Sequence, residues 1–270
     1  MTPPPLTRDI IKQPARWRLA LSFSDTSLNV LATCSVGDEE PLLSTIPLQN
    51  SGATSPAAAL EEVVYANPLL LGNFNRTDIV AVTSRFHILP PEAASNSDVL
   101  DALDIMFDSD HPTPEVAPLD ARNSIVAMLD RDTARFLHRT FDRASLQGHL
   151  AVIGRYLSRR SRLGNSGKLY VNLAADSRID IFAFDSAGLS GANTFNCQAD
   201  ADAVYYILAI ARTCNIDLAN DEIFIAGDPL RRGAIVPQLT PWASNVFPLI
   251  LPPTLAGSRC GAPLELSVMI

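Results

Sequence analysis

The stretch KLYVNLAADSRIDIFAF, residues 168–184, has the pattern of a β-hairpin. Apolar and polar side chains alternate in Leu169–Leu173 and again in Ile179–Phe184, as they do on strands that bury one face. Between the two runs lie residues 175–178, ADSR, where aspartate and serine are typical of a tight turn. The pattern therefore predicts two antiparallel strands joined at this turn.

The chain contains a second hairpin of this kind near its start. Strands are predicted at Arg18–Phe23 and Leu28–Cys34, joined across residues 24–27, SDTS. After each hairpin the sequence predicts the same further elements, a third strand, a helix and a buried strand. In the first half these are Leu42–Leu48, a helix from Pro56 with Ser55 as its cap, and Ile79–Val82; in the second they are a strand in 188–197, a helix in 200–216, and Ile223–Ala226. An internal duplication therefore accounts for most of the chain.

Composition limits the kind of protein. The 270 residues are 47% hydrophobic and 19% charged, which is typical of a folded chain with one large domain or two lobes. The net charge is -8 and Lys12 and Lys168 are the only lysines, which argues against nucleic acid as a partner. The longest apolar run, Ala203–Ala211, is far short of the ~20 residues of a membrane span.

The limits of the predicted domains are also set by the sequence. Residues 1–15 contain prolines and charges where a signal peptide would need an apolar core, so we expect a disordered tail and a cytoplasmic protein. The first lobe is predicted at 16–120 and the second at 121–270. Between the duplicated units we expect a helix at Asp98–Phe107, a strand at Ile125–Leu129, a helix from about Asp132, and a helix over Leu146–Ser161.

A three-stranded meander with a helix and a parallel strand after it resembles the ribonuclease-H-like unit. Two such units in tandem resemble the superfamily of actin, sugar kinases and heat-shock proteins. The chain is more closely similar to a bacterial family found in Bacteroidetes, the domain of unknown function 3822. The resemblance is carried by NPLLLGNFNRTDIVAVTSRFHILPPE (67–92) and NTFNCQADADAVYYILAIARTCNIDLANDEIFIAGD (193–228), and within the latter by Asn193, Phe195, Asp202, Tyr205, Tyr206 and Gly227. It implies an α/β, two-lobed actin-like ATPase fold and no established activity.

The resemblance also indicates where a nucleotide would bind. In active members of the superfamily both hairpin turns approach the phosphates, and glycine there lets backbone N–H groups reach the oxygens. The corresponding positions here are Ser27 and Arg178. Asp25 and Asp176 remain in the turns, where they could face a metal ion or a water, or serve only as turn residues. The pair of glycines that holds adenosine is reduced to Gly227, with Asp228 after it.

These departures predict a non-catalytic, actin-like-fold scaffold or protein-binding protein with degenerate phosphate loops, a pseudo-ATPase. We expect no catalytic residue, no metal site and no cofactor, and a protein as the partner. The alternative is a divergent nucleotide-binding protein or ATPase of the actin and sugar-kinase superfamily, which would bind Mg-ATP near Asp25, Asp176 and Gly227.

One basic cluster has two interpretations. Arg155, Arg159, Arg160 and Arg162 lie toward the end of a predicted helix, where positive side chains complement the helix dipole. The same cluster could be a docking patch for an acidic partner.

Overall fold

The computed structural model describes residues 11–36, 39–48, 55–106, 112–141, 143–162 and 166–269. Its strands are β1 (Trp17–Phe23), β2 (Ser27–Cys34), β3 (Leu42–Pro47), β4 (Arg76–Ala81), β5 (Phe86–Leu89), β6 (Thr113–Pro118), β7 (Ser124–Leu129), β8 (Ser145–Gly148), β9 (Lys168–Leu173), β10 (Arg178–Asp185), β11 (Gly188–Asn196), β12 (Glu222–Gly227) and β13 (Val246–Pro248). Its α-helices are α1 (Pro56–Ala66), α2 (Pro91–Ala94), α3 (Ser97–Met106), α4 (Arg131–Thr140), α5 (His149–Ser161), α6 (Asp200–Thr213), α7 (Pro229–Leu239), α8 (Ala256–Arg259) and α9 (Leu264–Ser267). Short 3-10 helices occur at Pro14–Arg16 and Pro68–Leu71.

The chain divides into two units. The first comprises the described residues of Met1–Val152 together with those of Pro253–Ile270, and the second comprises those of Ile153–Pro252. The predicted boundary at residue 120 differs from this division, because β7 lies beyond that boundary yet pairs with β5 and β6 of the first unit. Residues 253–269 likewise return to the first unit instead of completing the second.

The first unit contains a five-stranded sheet in the order β3-β2-β1-β4-β8. β1, β2 and β3 form an antiparallel meander, and β4 and β8 extend it in parallel. One face of the sheet packs on α1 because Leu19 and Leu21 of β1 alternate with more polar positions and join the buried Leu60 and Val64 of that helix. Ser55 caps α1 as predicted, since its Oγ accepts a hydrogen bond from the Ala58 amide at 3.2 Å.

The second unit repeats this arrangement with a sheet in the order β11-β10-β9-β12-β13. Again three antiparallel strands come first and two parallel strands come after them. The registers correspond: Phe23 at the end of β1 pairs with Ala81, and Leu173 at the end of β9 pairs with Gly227. α6 covers one face through Ala203, Ile207 and other buried residues. The predicted order of hairpin, strand, helix and strand is thus present in both units.

A smaller three-stranded antiparallel sheet, in the order β5-β7-β6, belongs to the first unit. The sequence predicted β7, whose six residues are all buried, but neither of its neighbours. β5 is half-buried along its whole length and β6 carries two prolines, so neither has the alternation or composition of a strand. Both edges form only because β7 supplies their backbone partners.

Three predicted boundaries are wrong for identifiable reasons. The helix expected from Leu146 begins at His149, because residues 145–148 pair in parallel with β4 as strand β8. The helix expected at Asp98–Phe107 is α3, and Phe107 lies outside the described residues. Of the tail expected at 1–15, residues 1–10 also lie outside them, whereas Ile11 is 2% exposed and packs in the core with Trp17.

Residues 264–269 cover the second face of the first unit's sheet. Leu266 is 0% exposed and packs against Ala20 of β1 and Leu31 of β2. Glu265 is also buried, and its Oε1 accepts a hydrogen bond from the Ser22 hydroxyl at 2.8 Å. None of the helices in the described part of the chain combines the length and the hydrophobicity that a membrane span requires.

Candidate functional site

The first candidate element is the turn between β1 and β2, residues 24–27. The Ser24 Oγ accepts hydrogen bonds from the backbone amides of Thr26 and Ser27, each at 3.3 Å. The Ser24 amide donates to the Ser27 carbonyl at 2.9 Å and closes the turn. Asp25 projects from this turn and is exposed. The amides that glycine would make available to a phosphate are thus bonded to the turn's own hydroxyl.

The second candidate element is the turn between β9 and β10. Ser177 adopts a positive φ of 68°, the left-handed conformation in which glycine is usual. Asp176 is exposed, and its Oδ1 accepts a hydrogen bond from the Arg178 amide at 3.3 Å. Asp176 therefore acts as a turn residue toward its own backbone.

Arg178 itself folds back over a buried carboxylate. Its Nη1 lies 3.2 Å from Oδ2 of Asp180, a residue that is 0% exposed. The same carboxylate accepts hydrogen bonds from Asn172 Nδ2 and Thr194 Oγ1, both at 2.8 Å. The Arg178 side chain is only 11% exposed, so at the position where active relatives have glycine this chain has a partly desolvated ion pair.

The third candidate element is the end of β12. Gly227 has a φ of 97°, and a Cβ atom there would lie 2.0 Å from the Leu173 carbonyl oxygen. The next residue, Asp228, caps α7: its Oδ1 accepts hydrogen bonds from the amides of Leu230 and Arg231, both at 2.9 Å. The partial positive charge at this helix N-terminus is therefore already matched by a carboxylate of the chain itself.

Arg231 joins the second and third elements. Its guanidinium donates hydrogen bonds to the carbonyl oxygens of Ala174, Ser177 and Arg178, that of Arg178 at 2.9 Å. The Cys197 amide donates to the Ser177 carbonyl as well, at 3.0 Å. Burial raises the pKa of the Cys197 thiol, which favours its protonated and weakly nucleophilic form. The turn is thus held by contacts to its backbone carbonyl groups.

The structure brings two of the three predicted site residues together. The turn of Asp176 and Gly227 are neighbours in the second unit, because Leu173 pairs with Gly227 and its carbonyl accepts a hydrogen bond from the Asp228 amide at 2.7 Å. Asp25 lies in the equivalent turn of the first unit. Within the described ranges, no group of three or more His, Cys, Asp or Glu side chains is arranged to hold a metal ion.

Sequence reasoning missed three residues that decide the chemistry of these loops. Ser24 could have been recognised, because a serine two and three residues before unpaired amides commonly caps them. Asp180 looked like an outward-facing residue of an alternating strand. Arg231 gave no signal, since its contacts are to the backbone of a turn more than 50 residues away.

Comparison with known proteins places this arrangement in a fold. A family model described as "Protein of unknown function (DUF3822)" matches residues 10–246. None of the curated proteins matches the sequence. Among solved structures, a protein of Bacteroides thetaiotaomicron VPI-5482 with an actin-like ATPase fold and unknown function is 21% identical, with a TM-score of 0.78 over 97% of this chain and 98% of that one.

Two further solved structures cover most of this chain. The PilM-PilN type IV pilus biogenesis complex is 14% identical, with a TM-score of 0.57 over 94% of this chain and 97% of that one. The cytoplasmic domain of EpsL, an inner membrane component of the type II secretion system of Vibrio cholerae, is 11% identical, with a TM-score of 0.45 over 90% of this chain and 94% of that one. The likeness to the Bacteroides protein and to PilM-PilN confirms the predicted actin-like ATPase fold.

Proposed function

This chain belongs to the DUF3822 family of proteins of unknown function, and we propose that it is a non-catalytic scaffold that binds another protein. The fold alone does not decide this, because one fold supports many functions. The proposal depends on the three loops that would surround a nucleotide.

The observation that carries the proposal is that amides in these loops are bonded to the chain's own side chains. Ser24 accepts two of them, Asp176 accepts one and Asp228 accepts two. A phosphate would have to displace these acceptors. At the third loop it would also meet the carboxylate of Asp228, and like charges disfavour such a contact.

Arg178 supports the same conclusion from its side chain. Its guanidinium could in principle attract a phosphate, but here it is paired with the buried Asp180. Breaking this pair would leave a carboxylate without its cationic partner in a place that water does not reach. We infer that Arg178 stabilises the hairpin and does not bind a nucleotide.

A protein partner is the class of ligand that remains. The PilM-PilN complex is an example of this fold in an assembly with another protein. From that example we extend only the class of partner to this chain.

The proposal is tested by calorimetric titration of the purified protein with Mg-ATP and Mg-ADP. We expect no heat of binding at millimolar nucleotide. The Ser24→Gly and Arg178→Gly variants are titrated alongside, with circular dichroism as the check that each is folded. Ser24→Gly removes the acceptor of two amides without disturbing a buried charge, so it remains informative if Arg178→Gly does not fold.

Binding of either nucleotide to the native protein with a Kd in the micromolar range would overturn the proposal. It would direct attention to Asp25 and Asp176 as groups that face a metal ion. Binding that appears only in Ser24→Gly would support it, because the native hydroxyl would then be what excludes the phosphate.

A further inference from the structure

The end of α5 and the edge of the second unit's sheet form a surface that the nucleotide loops do not explain. Arg160 Nη1 donates a hydrogen bond to the Ile250 carbonyl at 3.3 Å, which places the last turn of the helix beside the segment after β13. We call this surface the arginine patch and define it as Arg159, Arg160, Arg162, Phe247 and Ile250.

The apolar part of the arginine patch is the exposed end of a row of aromatic rings. The Tyr170 and Phe224 rings are stacked with centroids 5.1 Å apart, and the Phe224 and Phe247 centroids are 5.9 Å apart. Tyr170 is 1% exposed, whereas Phe247 is 42% exposed and Ile250 is 70% exposed. Apolar side chains grouped in this way are typical of a contact surface, and single exposed ones are not.

The charged part of the arginine patch is not neutralised by the residues that the structure describes. Arg159 and Arg162 are exposed, and neither takes part in the ion pairs that the described residues form. Arg155 lies one helical turn before Arg159, and its pKa is lowered by burial and by repulsion from Arg159. A group of carboxylates placed here would relieve this repulsion.

The helix dipole accounts for only part of this arrangement. It favours positive charge in the last turn of α5, where Arg159 and Arg160 lie. It does not account for Arg155 in the preceding turn or for the exposed Phe247 and Ile250 beside the arginines. A surface that combines arginine with an exposed aromatic residue has the composition of a protein interface.

We propose that the arginine patch docks an acidic segment of a partner protein, one that carries Asp or Glu next to apolar side chains. This rests on the proposed scaffold function and names the chemistry of its partner. Charge selects the occupant: the second unit has nine basic and nine acidic residues, so the net charge of -8 lies in the first unit. A nucleic acid or an anionic membrane would face that first unit's charge, whereas a short acidic segment contacts the patch alone.

The test uses the full-length protein and a fluorescein-labelled peptide of alternating Glu and Leu, with binding measured by fluorescence anisotropy. We expect binding that weakens as KCl is raised, because the contacts are charged and exposed. Arg159→Glu combined with Arg162→Glu should weaken it at least about tenfold, which corresponds to about 1.4 kcal/mol. Ile250→Ser should weaken it as well, since the leucines lose an apolar contact.

Matched variants separate the patch from overall charge and hydrophobicity. Arg212→Glu changes an exposed arginine on α6, and Leu230→Ser changes a side chain that is 85% exposed on α7. Both variants should bind the peptide as the native protein does. A peptide of alternating Lys and Leu should not bind, and one of alternating Glu and Ser should bind more weakly than the Glu-Leu peptide.

Several results would overturn the proposal. These are equal binding by the Arg159→Glu, Arg162→Glu variant, stronger binding of single-stranded RNA or of phosphatidylserine vesicles at the same residues, and a self-association in sedimentation that this variant abolishes. The nucleotide titration fails or succeeds separately. Mg-ATP binding would remove the scaffold function without changing the peptide result, and loss of the peptide result would leave the titration unchanged.

Discussion

At the scale of single residues, the loops show how the same turn positions serve a different purpose in this chain. Ser24, Asp176 and Asp228 each accept hydrogen bonds from nearby backbone amides, and Arg178 pairs with Asp180. Each contact is local or crosses one strand pair. Substitutions of single residues therefore give direct tests of these roles.

Removing Arg178 should destabilise the protein strongly. We expect Arg178→Ala to lower the free energy of unfolding by about 3 to 5 kcal/mol, because it leaves the Asp180 carboxylate buried without its cation. Urea unfolding measures the loss. The double variant Arg178→Ala, Asp180→Asn should be less destabilised than the sum of the two single variants. Additive losses would show that the two side chains do not interact.

Gly227 should not tolerate a side chain. Gly227→Ala combines a positive φ of 97° with a Cβ 2.0 Å from the Leu173 carbonyl oxygen, so we expect a loss of at least about 3 kcal/mol in the free energy of unfolding. Gly233→Ala is the matched control, since it lies within α7 and its Cβ would meet nothing within 4 Å. That control should gain about 1 kcal/mol. Equal effects of the two substitutions would contradict the geometry.

At the scale of elements, the two five-stranded sheets differ in the element to which the fourth strand of the meander-and-parallel-strand unit leads. In the second unit, β12 ends in Gly227 and leads directly into α7 through the Asp228 cap. In the first unit, β4 ends in Ala81 and leads to the smaller sheet. The helix start next to the second hairpin is thus a feature of one unit, and its capping decides whether it can receive an anion.

Asp228 should contribute measurably to α7. Asp228→Ala removes the acceptor of two amides and should lower the free energy of unfolding by about 1 kcal/mol. Hydrogen exchange measured by NMR should show faster exchange of the Leu230 and Arg231 amides. Asp200→Ala is the comparison: Asp200 lies in the first turn of α6, where Asp202 already accepts the capping hydrogen bonds. A larger loss for Asp200→Ala would contradict the assigned cap.

At the scale of the whole molecule, the chain returns to the unit in which it began. Residues 253–269 pack on the first unit's sheet after the second unit has been completed. The first unit is therefore built from two distant parts of the sequence, and the second from one continuous part. The stability of the first unit should depend on the returning segment.

Leu266→Ala tests this dependence. The side chain is 0% exposed against Ala20 and Leu31, so its truncation should cost about 2 to 5 kcal/mol. Hydrogen-deuterium exchange with mass spectrometry should show lost protection in β1 and β2, with β9 to β12 unchanged. Leu230→Ala, on an 85% exposed residue, should change neither region. Lost protection confined to the second unit would contradict the packing.

Sequence alone determined the repeated part of the fold. The hairpins, α1, α6 and the buried strands β4 and β12 can be predicted from periodicity and from turn and cap residues such as Ser55, all of which act between near neighbours. It also determined that glycine is missing at Ser27 and Arg178. These features are local, so a pattern along the chain is enough to reveal them.

Only the tertiary structure decided the remainder. β5, β6 and β8 carry no strand pattern and form because β7 and β4 offer them backbone partners. The pairing of Arg178 with a buried Asp180, the contacts of Arg231 with a distant turn, and the return of Leu266 to the first sheet join residues across strands or across most of the chain. Burial and hydrogen bonding between such residues depend on the folded arrangement, and periodicity along the sequence does not encode it.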